Sequence, residues 1–170
     1  MIILGIDPGS QRTGWGCIEQ EGSTLLLRGV GVIRAPAKGT IAERAAVLVE
    51  GLEVILQEQN PDMVAMEAVF GGPNTKSLIV LAEARGALLS VVGRAGLPLL
   101  SLTPAEVKKA VTGRGSATKE QIAHMVGVLL GPEARGEEVA TLGLDATDAL
   151  GVAIAAMHRG SGQIPTSSVG

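Results

Sequence analysis

Four carboxylates stand where acids are unusual. Asp7 ends the apolar run Ile2 to Ile6, Glu67 ends the run Met63 to Met66, and Asp145 and Asp148 stand three apart at the head of a long apolar stretch. If the two runs are neighbouring parallel strands, Asp7 and Glu67 lie side by side at one sheet edge. A helix puts Asp145 and Asp148 on one face, about a turn apart. Four such acids repel one another unless cations neutralise them, and an all-oxygen donor set suits hard divalent metals. The set points to magnesium, with two ions suited to in-line phosphoryl transfer and so to phosphodiester hydrolysis.

Each acid alone has a plain structural role. Asp7 can open the Asp-Pro-Gly turn, Asp145 can cap a helix, and Asp148 can complement the helix dipole. Glu67 is the exception, since an acid directly after a buried strand has no capping duty. Jointly the four favour a site.

The elements that must position them are legible in outline. Strand-like runs cover 2 to 6, 13 to 19 and 24 to 34, separated by Gly-rich turns, and read as an antiparallel meander. Thr40-Ile41-Ala42-Glu43 is a capping box for a helix reaching about Gln59, and Asn60-Pro61 breaks it. Met63 to Met66 reads as a strand buried on both faces, followed by a Gly71-Gly72-Pro73 loop. Thr75 to Ala95 is helical by pattern, Leu97 to Leu102 strand-like, and Thr103-Pro104-Ala105-Glu106 caps a short helix. Thr118 to Leu130 reads as a helix, 131 to 143 as a Gly- and Glu-rich connection, and the last helix starts near Asp145. Together these elements predict a three-layer α/β sandwich around one five-stranded mixed sheet. One domain is expected over 1–160, with a disordered polar tail at 161–170.

Composition narrows the class. Of 170 residues 46% are apolar, net charge is −3, and there is a single cysteine, which argues for a folded domain without disulfides. The best apolar run, Leu78 to Gly96, is interrupted by Glu83, Arg85 and Arg94, so no membrane span is expected. The opening residues lack the basic region of a signal peptide, and a cytoplasmic location is expected. Charge is uneven: residues 76 to 119 carry seven basic and two acidic side chains, whereas both flanks are acidic. Lys76, Lys109 and Arg114 are candidate contacts to a nucleic-acid backbone, against the alternative of a solvated face. Phe70, the single phenylalanine in a chain without tyrosine, lies three residues past Glu67 in a loop, where a ring can stack on an unpaired base. Trp15 reads as core, and His124 and His158 as structural.

Gly5-Ile6-Asp7-Pro8-Gly9-Ser10, Thr13-Gly14-Trp15-Gly16, Glu67-Ala68-Val69-Phe70, Val107-Lys108-Lys109, Gly113 to Lys119 and Asp145-Ala146-Thr147-Asp148-Ala149-Leu150 follow one another in an order that resembles the RuvC family, bacterial Holliday-junction resolvases. The resemblance covers residues 1 to about 158. It implies a ribonuclease-H-like fold, a homodimer, and symmetric nicking of four-way junction DNA that leaves 5′-phosphate and 3′-hydroxyl ends. It implies Mg2+ at two ions per site, with Mn2+ as a substitute. By the same resemblance Asp7, Glu67, Asp145 and Asp148 are the catalytic acids, Lys108 and Lys119 the functional lysines, and Phe70 the ring inserted at the crossover. Each lysine reads as opening or preceding a helix after a short loop in the basic segment. Some relatives carry His where Asp145 stands. Coupling to the RuvA and RuvB branch-migration proteins is implied too. Two other classes are weighed: an actin-like or sugar-kinase-like ATPase, which needs a second like domain, and a non-catalytic junction-binding protein, which would not need all four acids.

Overall fold

The computed structural model describes residues 1–69, 71 and 74–160, the side chains of Arg135, Glu137, Glu138 and Ala140 excepted. Five strands, β1 (Ile2–Asp7), β2 (Arg12–Glu21), β3 (Thr24–Arg34), β4 (Met63–Glu67) and β5 (Leu99–Leu102), form one sheet in the order β3-β2-β1-β4-β5. β2 pairs antiparallel with both β1 and β3, as the short Gly-containing connections require. β4 and β5 join parallel to β1 through helical crossovers. The helices are α1 (Ile41–Gln59), α2 (Thr75–Arg94), α3 (Pro104–Thr112), α4 (Lys119–Leu130), α5 (Glu137–Leu142) and α6 (Leu144–Gly160). The expected three-layer α/β sandwich is the fold observed.

Period-two alternation divides the core. Leu4, Ile6, Cys17, Ile33, Val64 and Met66 face α1 and α2, which bring Leu48, Leu52, Ile55, Ala84, Leu88 and Val92. Ile3, Ile18, Met63, Ala65 and Leu102 face α6, α3 and α4. α6 is apolar on nearly every side, and Ala146 and Ala149 to Met157 are buried.

α6 lies unusually close to the sheet because β1 and β2 offer it glycines. A Cβ at Gly14 would sit 2.0 Å from the Asp145 carbonyl oxygen, and one at Gly5 2.2 Å from that of Ala149. Those two positions set the depth at which the head of α6 meets the strand ends.

Three boundaries differ from the sequence reading. β5 begins at Leu99, because Pro98 lacks the N–H a ladder needs. β2 extends over Arg12–Glu21 on both sides of the expected run, because pairing with β3 continues from Arg12↔Arg34 to Glu21↔Thr24. The stretch 131–143 is not a plain connection: it holds a 3-10 turn at Pro132–Arg135 and the six-residue α5. Pro132 starts the turn, and buried Ala134 and Val139 anchor the two pieces to the core, an apolar minority that the glutamates mask in the sequence. The expectations for the tail 161–170 lie outside the described residues.

Candidate active site

Register fixes the first half of the site. Ile6 pairs with Met66 across the parallel β1–β4 ladder, so Asp7 and Glu67 are the next residues on adjoining strands. Ile6 and Met66 point to α1 and α2, so the alternation turns Asp7 and Glu67 to the opposite face, where the head of α6 lies. Asp145 and Asp148 come from the first turns of that helix. All four acids expected from the sequence therefore meet at one sheet edge.

The loop behind Asp7 is held from within. Thr13, 1% exposed, donates from Oγ1 to the Gly9 carbonyl at 2.9 Å and accepts from the Gly9 N–H at 3.2 Å. This clasp satisfies a buried hydroxyl and closes the Pro8–Gln11 turn. Behind Glu67, Arg85 donates from Nε to the Glu67 carbonyl at 3.0 Å and from Nη2 to Ser101 Oγ at 2.8 Å, tying α2 to the ends of β4 and β5. Sequence reading counted Arg85 only within the basic segment and missed this tie, since neither of its partners is an acid side chain that a charge pattern would reveal.

The acids feel one another. Burial is the largest influence on Asp7, and with Glu67, Asp148 and Asp145 nearby it pushes the carboxyl up to about 7, against an opposing pull from Lys119. Burial and then Asp148 raise Glu67 as well, opposed by Lys119 and Lys108. Two cations already neutralise part of the cluster. Lys119 donates from Nζ to Asp148 Oδ2 at 2.6 Å. Arg12 donates from Nε to Asp145 Oδ2 at 2.6 Å and from Nη2 to the Leu142 carbonyl at 3.1 Å. Arg12 was not singled out in the sequence, where it reads as a turn residue after Asp-Pro-Gly.

Lys119 opens α4 behind a capping box of Thr118 and Gln121, as expected. Lys108 does not open its helix: it is an interior residue of α3, and it reaches the neighbourhood of Glu67 because α3 packs on α6. That packing is pinned by Glu106, which accepts from Thr103 within the α3 capping box and from Arg159 of α6 at 2.5 Å. These bonds hold the Glu106 carboxyl down at about 2. Lys76, Lys109 and Arg114 are exposed, at the head of α2, on α3 and in the loop before α4. Phe70 lies outside the described residues.

Trp15 is half-buried and packs with the α1–α2 side of the core, its ring beside Gly29 and Gly31. His158 Nδ1 meets the Ala110 carbonyl at 3.2 Å, and His124 is exposed on α4. Arg28 lies near Cys17, a basic neighbour the sequence did not suggest, yet burial dominates and pushes the thiol up to about 11. No helix among the described residues is long and apolar enough to cross a membrane.

Four oxygen-donor acids, two with raised pKa values, are a site that asks for more positive charge than Lys119 and Arg12 supply. That donor chemistry fits a hard divalent cation. As the side chains stand, no group of three or more His, Cys, Asp or Glu among the described residues is gathered around a metal position. Asp145 and Asp148 instead each give one oxygen, Oδ2, to Arg12 and Lys119 respectively.

Comparison with known proteins identifies relatives of the chain. A crossover junction endodeoxyribonuclease RuvC of Chlorobaculum parvum is 45% identical over 161 residues, covering 95% of this chain and 83% of the relative. Its counterpart in Pelodictyon phaeoclathratiforme is 39% identical over 170 residues, covering 100% of this chain and 86% of the relative. The structure of T. thermophilus RuvC in complex with Holliday junction substrate superposes with a TM-score of 0.83 at 28% identity, covering 94% of each chain. Residues 3–157 match the family described as crossover junction endodeoxyribonuclease RuvC, and the chain belongs to that family.

Proposed function

We propose that this chain is a structure-selective endonuclease that resolves four-way (Holliday) DNA junctions by paired symmetric nicks in recombination and repair. The observation that carries the reading is the meeting of Asp7, Glu67, Asp145 and Asp148 at one sheet edge, where burial and the other three acids push Asp7 up to about 7, a centre that suits completion by cations. Family membership and the likeness to T. thermophilus RuvC, which is bound to a Holliday junction, support the substrate.

Asp7, Glu67, Asp145 and Asp148 would hold divalent ions, two per site, with Mg2+ as the resident metal and Mn2+ as a substitute. When bound, such ions lower the pKa of the attacking water and stabilise the leaving oxygen in phosphodiester hydrolysis, giving 5′-phosphate and 3′-hydroxyl ends. The protein's part is positioning. Asp7 and Glu67 are fixed by strand register, and Asp145 and Asp148, paired to Arg12 and Lys119, would complete the donor set. Lys119 and Lys108, which lie close enough to lower the Glu67 carboxyl, would face the phosphate oxygens, where charge develops. Lys76, Lys109 and Arg114 hold neighbouring phosphates, and Phe70 stacks on a base at the crossover, a contact worth about 1–3 kcal/mol.

One acid cluster cuts one strand, so two matched cuts call for a twofold dimer. The exposed side of α2 is the candidate interface: Ile79 is 54% exposed, and Leu78, Val80, Leu81 and Leu89 are half-buried beside the buried Ala84, Leu88 and Val92. Residues 1–160 act as a single nuclease domain, cytoplasmic, with RuvA and RuvB as partners in branch migration. The deciding experiment incubates purified protein with a synthetic four-way junction, with and without Mg2+, and maps the cuts. Symmetric metal-dependent nicks are expected, and cleavage of linear duplex at the same rate refutes the reading. Sedimentation at micromolar concentration tests the dimer, and a monomer on the junction that cuts both strands in step refutes it.

A further inference from the structure

The sheet edge that carries Asp7 and Glu67 also carries two arginines. β2 starts there at Arg12 and β3 ends there at Arg34, and the two are direct cross-strand partners. Partners in register share a sheet face, and like charges placed opposite one another destabilise the pairing. Arg12 is relieved, because its guanidinium is bonded to Asp145 and to the Leu142 carbonyl. Arg34 is not: it is exposed, and among the described residues its side chain has no ion-pair partner.

Four residues further on, Lys38 repeats the pattern. It is exposed and unpaired among the described residues, in a turn closed by the Gly39 N–H donating to the Pro36 carbonyl at 3.1 Å. Arg44 of α1 donates from Nη2 to the Ala37 carbonyl at 3.1 Å, so the turn is held against the body of the protein. The acid nearest in sequence, Glu43, is committed to its capping box, accepting from the Thr40 N–H at 2.7 Å and its hydroxyl at 2.9 Å. Two cations thus stand, among the described residues, without local counter-charge beside a centre whose acids need cations.

β3 lies two strands from β1, about 10 Å at the usual strand spacing. Arg34 is therefore too distant for a phosphodiester held at Asp7, and near enough for another phosphate of the same DNA. We propose that Arg34 and Lys38 form a phosphate-binding subsite for junction DNA, flanking the acid cluster on the β3 side. The inference rests on the nuclease reading above and adds a backbone contact outside the basic segment 76–119. Sequence arithmetic hides it, because residues 1–75 are acidic in sum.

The test measures binding to a fluorescent synthetic four-way junction in EDTA across a salt series, for the wild type, Arg34→Gln, Lys38→Gln and the double variant. Each lost phosphate contact should flatten the slope of log affinity against log salt by about 0.9, so the double variant should lose about 1.8. Arg34→Lys should restore most of the change at that position. Thermal unfolding should not weaken, since Arg34→Gln removes a like-charge pair. An unchanged slope in the double variant overturns the subsite, as does an affinity loss that only follows a loss of folded protein. If the double variant does not fold, Arg34→Gln alone carries the same test with half the slope change. A wild-type protein that neither prefers the junction to duplex nor cuts it with Mg2+ present overturns the nuclease reading and the subsite with it. A wild-type enzyme that cuts normally while the slope stays constant overturns the subsite alone.

Discussion

The guanidinium of Arg12 donates from Nε to Asp145 Oδ2 at 2.6 Å across 133 residues of chain. The bond joins the start of β2 to the head of α6, and the second bond to the Leu142 carbonyl adds the end of α5. It also places a fixed positive charge on a carboxylate proposed to hold metal. Arg12 and a divalent cation therefore compete for Asp145. Arg12→Gln should bind Mn2+ severalfold more tightly by calorimetry, with greater salt dependence because the site is more negative, while losing only about 0–1 kcal/mol of stability, because the pair is partly exposed. Weaker Mn2+ binding in Arg12→Gln would mean that Arg12 orients Asp145 and does not compete for it.

Asp7 gives the site a pH signature. Its carboxyl stays protonated in the fold up to about 7, against an ordinary value of 3.8. Between those values the unfolded chain releases the proton and the folded one keeps it, so metal-free stability falls as pH rises from about 4 to about 7. Glu67, also raised, adds to the same trend. Divalent metal should reverse it, and the apparent metal affinity should drop as pH falls below 7. Asp7→Asn should be more stable than the wild type without metal at pH 8, and it should bind junction DNA but fail to cut it. Glu67→Gln should likewise bind without cutting, and Asp145→Asn should be the mildest of the acid variants. Urea melts at pH 5 and 8, with a junction-cleavage assay, check all of these. Cleavage persisting in Asp7→Asn refutes the site.

The acids were legible in the sequence because each stands at a boundary that simple patterns mark. Asp7 and Glu67 close apolar runs, and Asp145 and Asp148 open an apolar helix. The antiparallel meander of the first three strands and the three-layer fold follow from the same patterns, whereas the place of β5 beside β4 does not. Arg12, Arg85 and Arg34 were not legible, since each acquires its meaning from a partner or neighbour set by tertiary packing: Asp145, the Glu67 carbonyl, and Arg12 across the ladder. Lys108 was expected near a helix start and is interior to α3, because its position depends on how α3 docks on α6 through Glu106 and Arg159. The stretch holding the 3-10 turn and α5 was read as a connection because its buried anchors, Ala134 and Val139, are outnumbered by charged and small residues.

Gly14 tests whether α6 depth controls the site. A methyl group there meets the Asp145 carbonyl oxygen at 2.0 Å, and because that partner is backbone the clash cannot be absorbed by a side-chain rotation. Gly14→Ala should cost about 1–3 kcal/mol by overpacking, and it should displace Asp145 and Asp148 from Asp7. Its cleavage rate should fall further than its stability loss explains, and its Mn2+ affinity should fall with it. A destabilised variant with wild-type metal binding would show that α6 recovers its place.

Lys119 supplies the last test, because it touches one acid and influences two others. Its Nζ is bonded to Asp148 at 2.6 Å, and it lowers the carboxyls of Asp7 and Glu67 that burial raises. Without metal it is a counter-charge within the cluster. Lys119→Ala should raise both carboxyl pKa values further, so its stability deficit relative to the wild type should widen from pH 5 to pH 8. Adding Mg2+ should narrow that deficit, since the ion replaces the lost charge. Cleavage should stay slow even with saturating metal, by about 10²–10³-fold, as expected when a donor facing developing charge is removed. Junction binding should change little. A deficit that is constant with pH would place Lys119 outside the electrostatics of the acids, and full activity at high Mg2+ would reduce it to a stand-in for the metal.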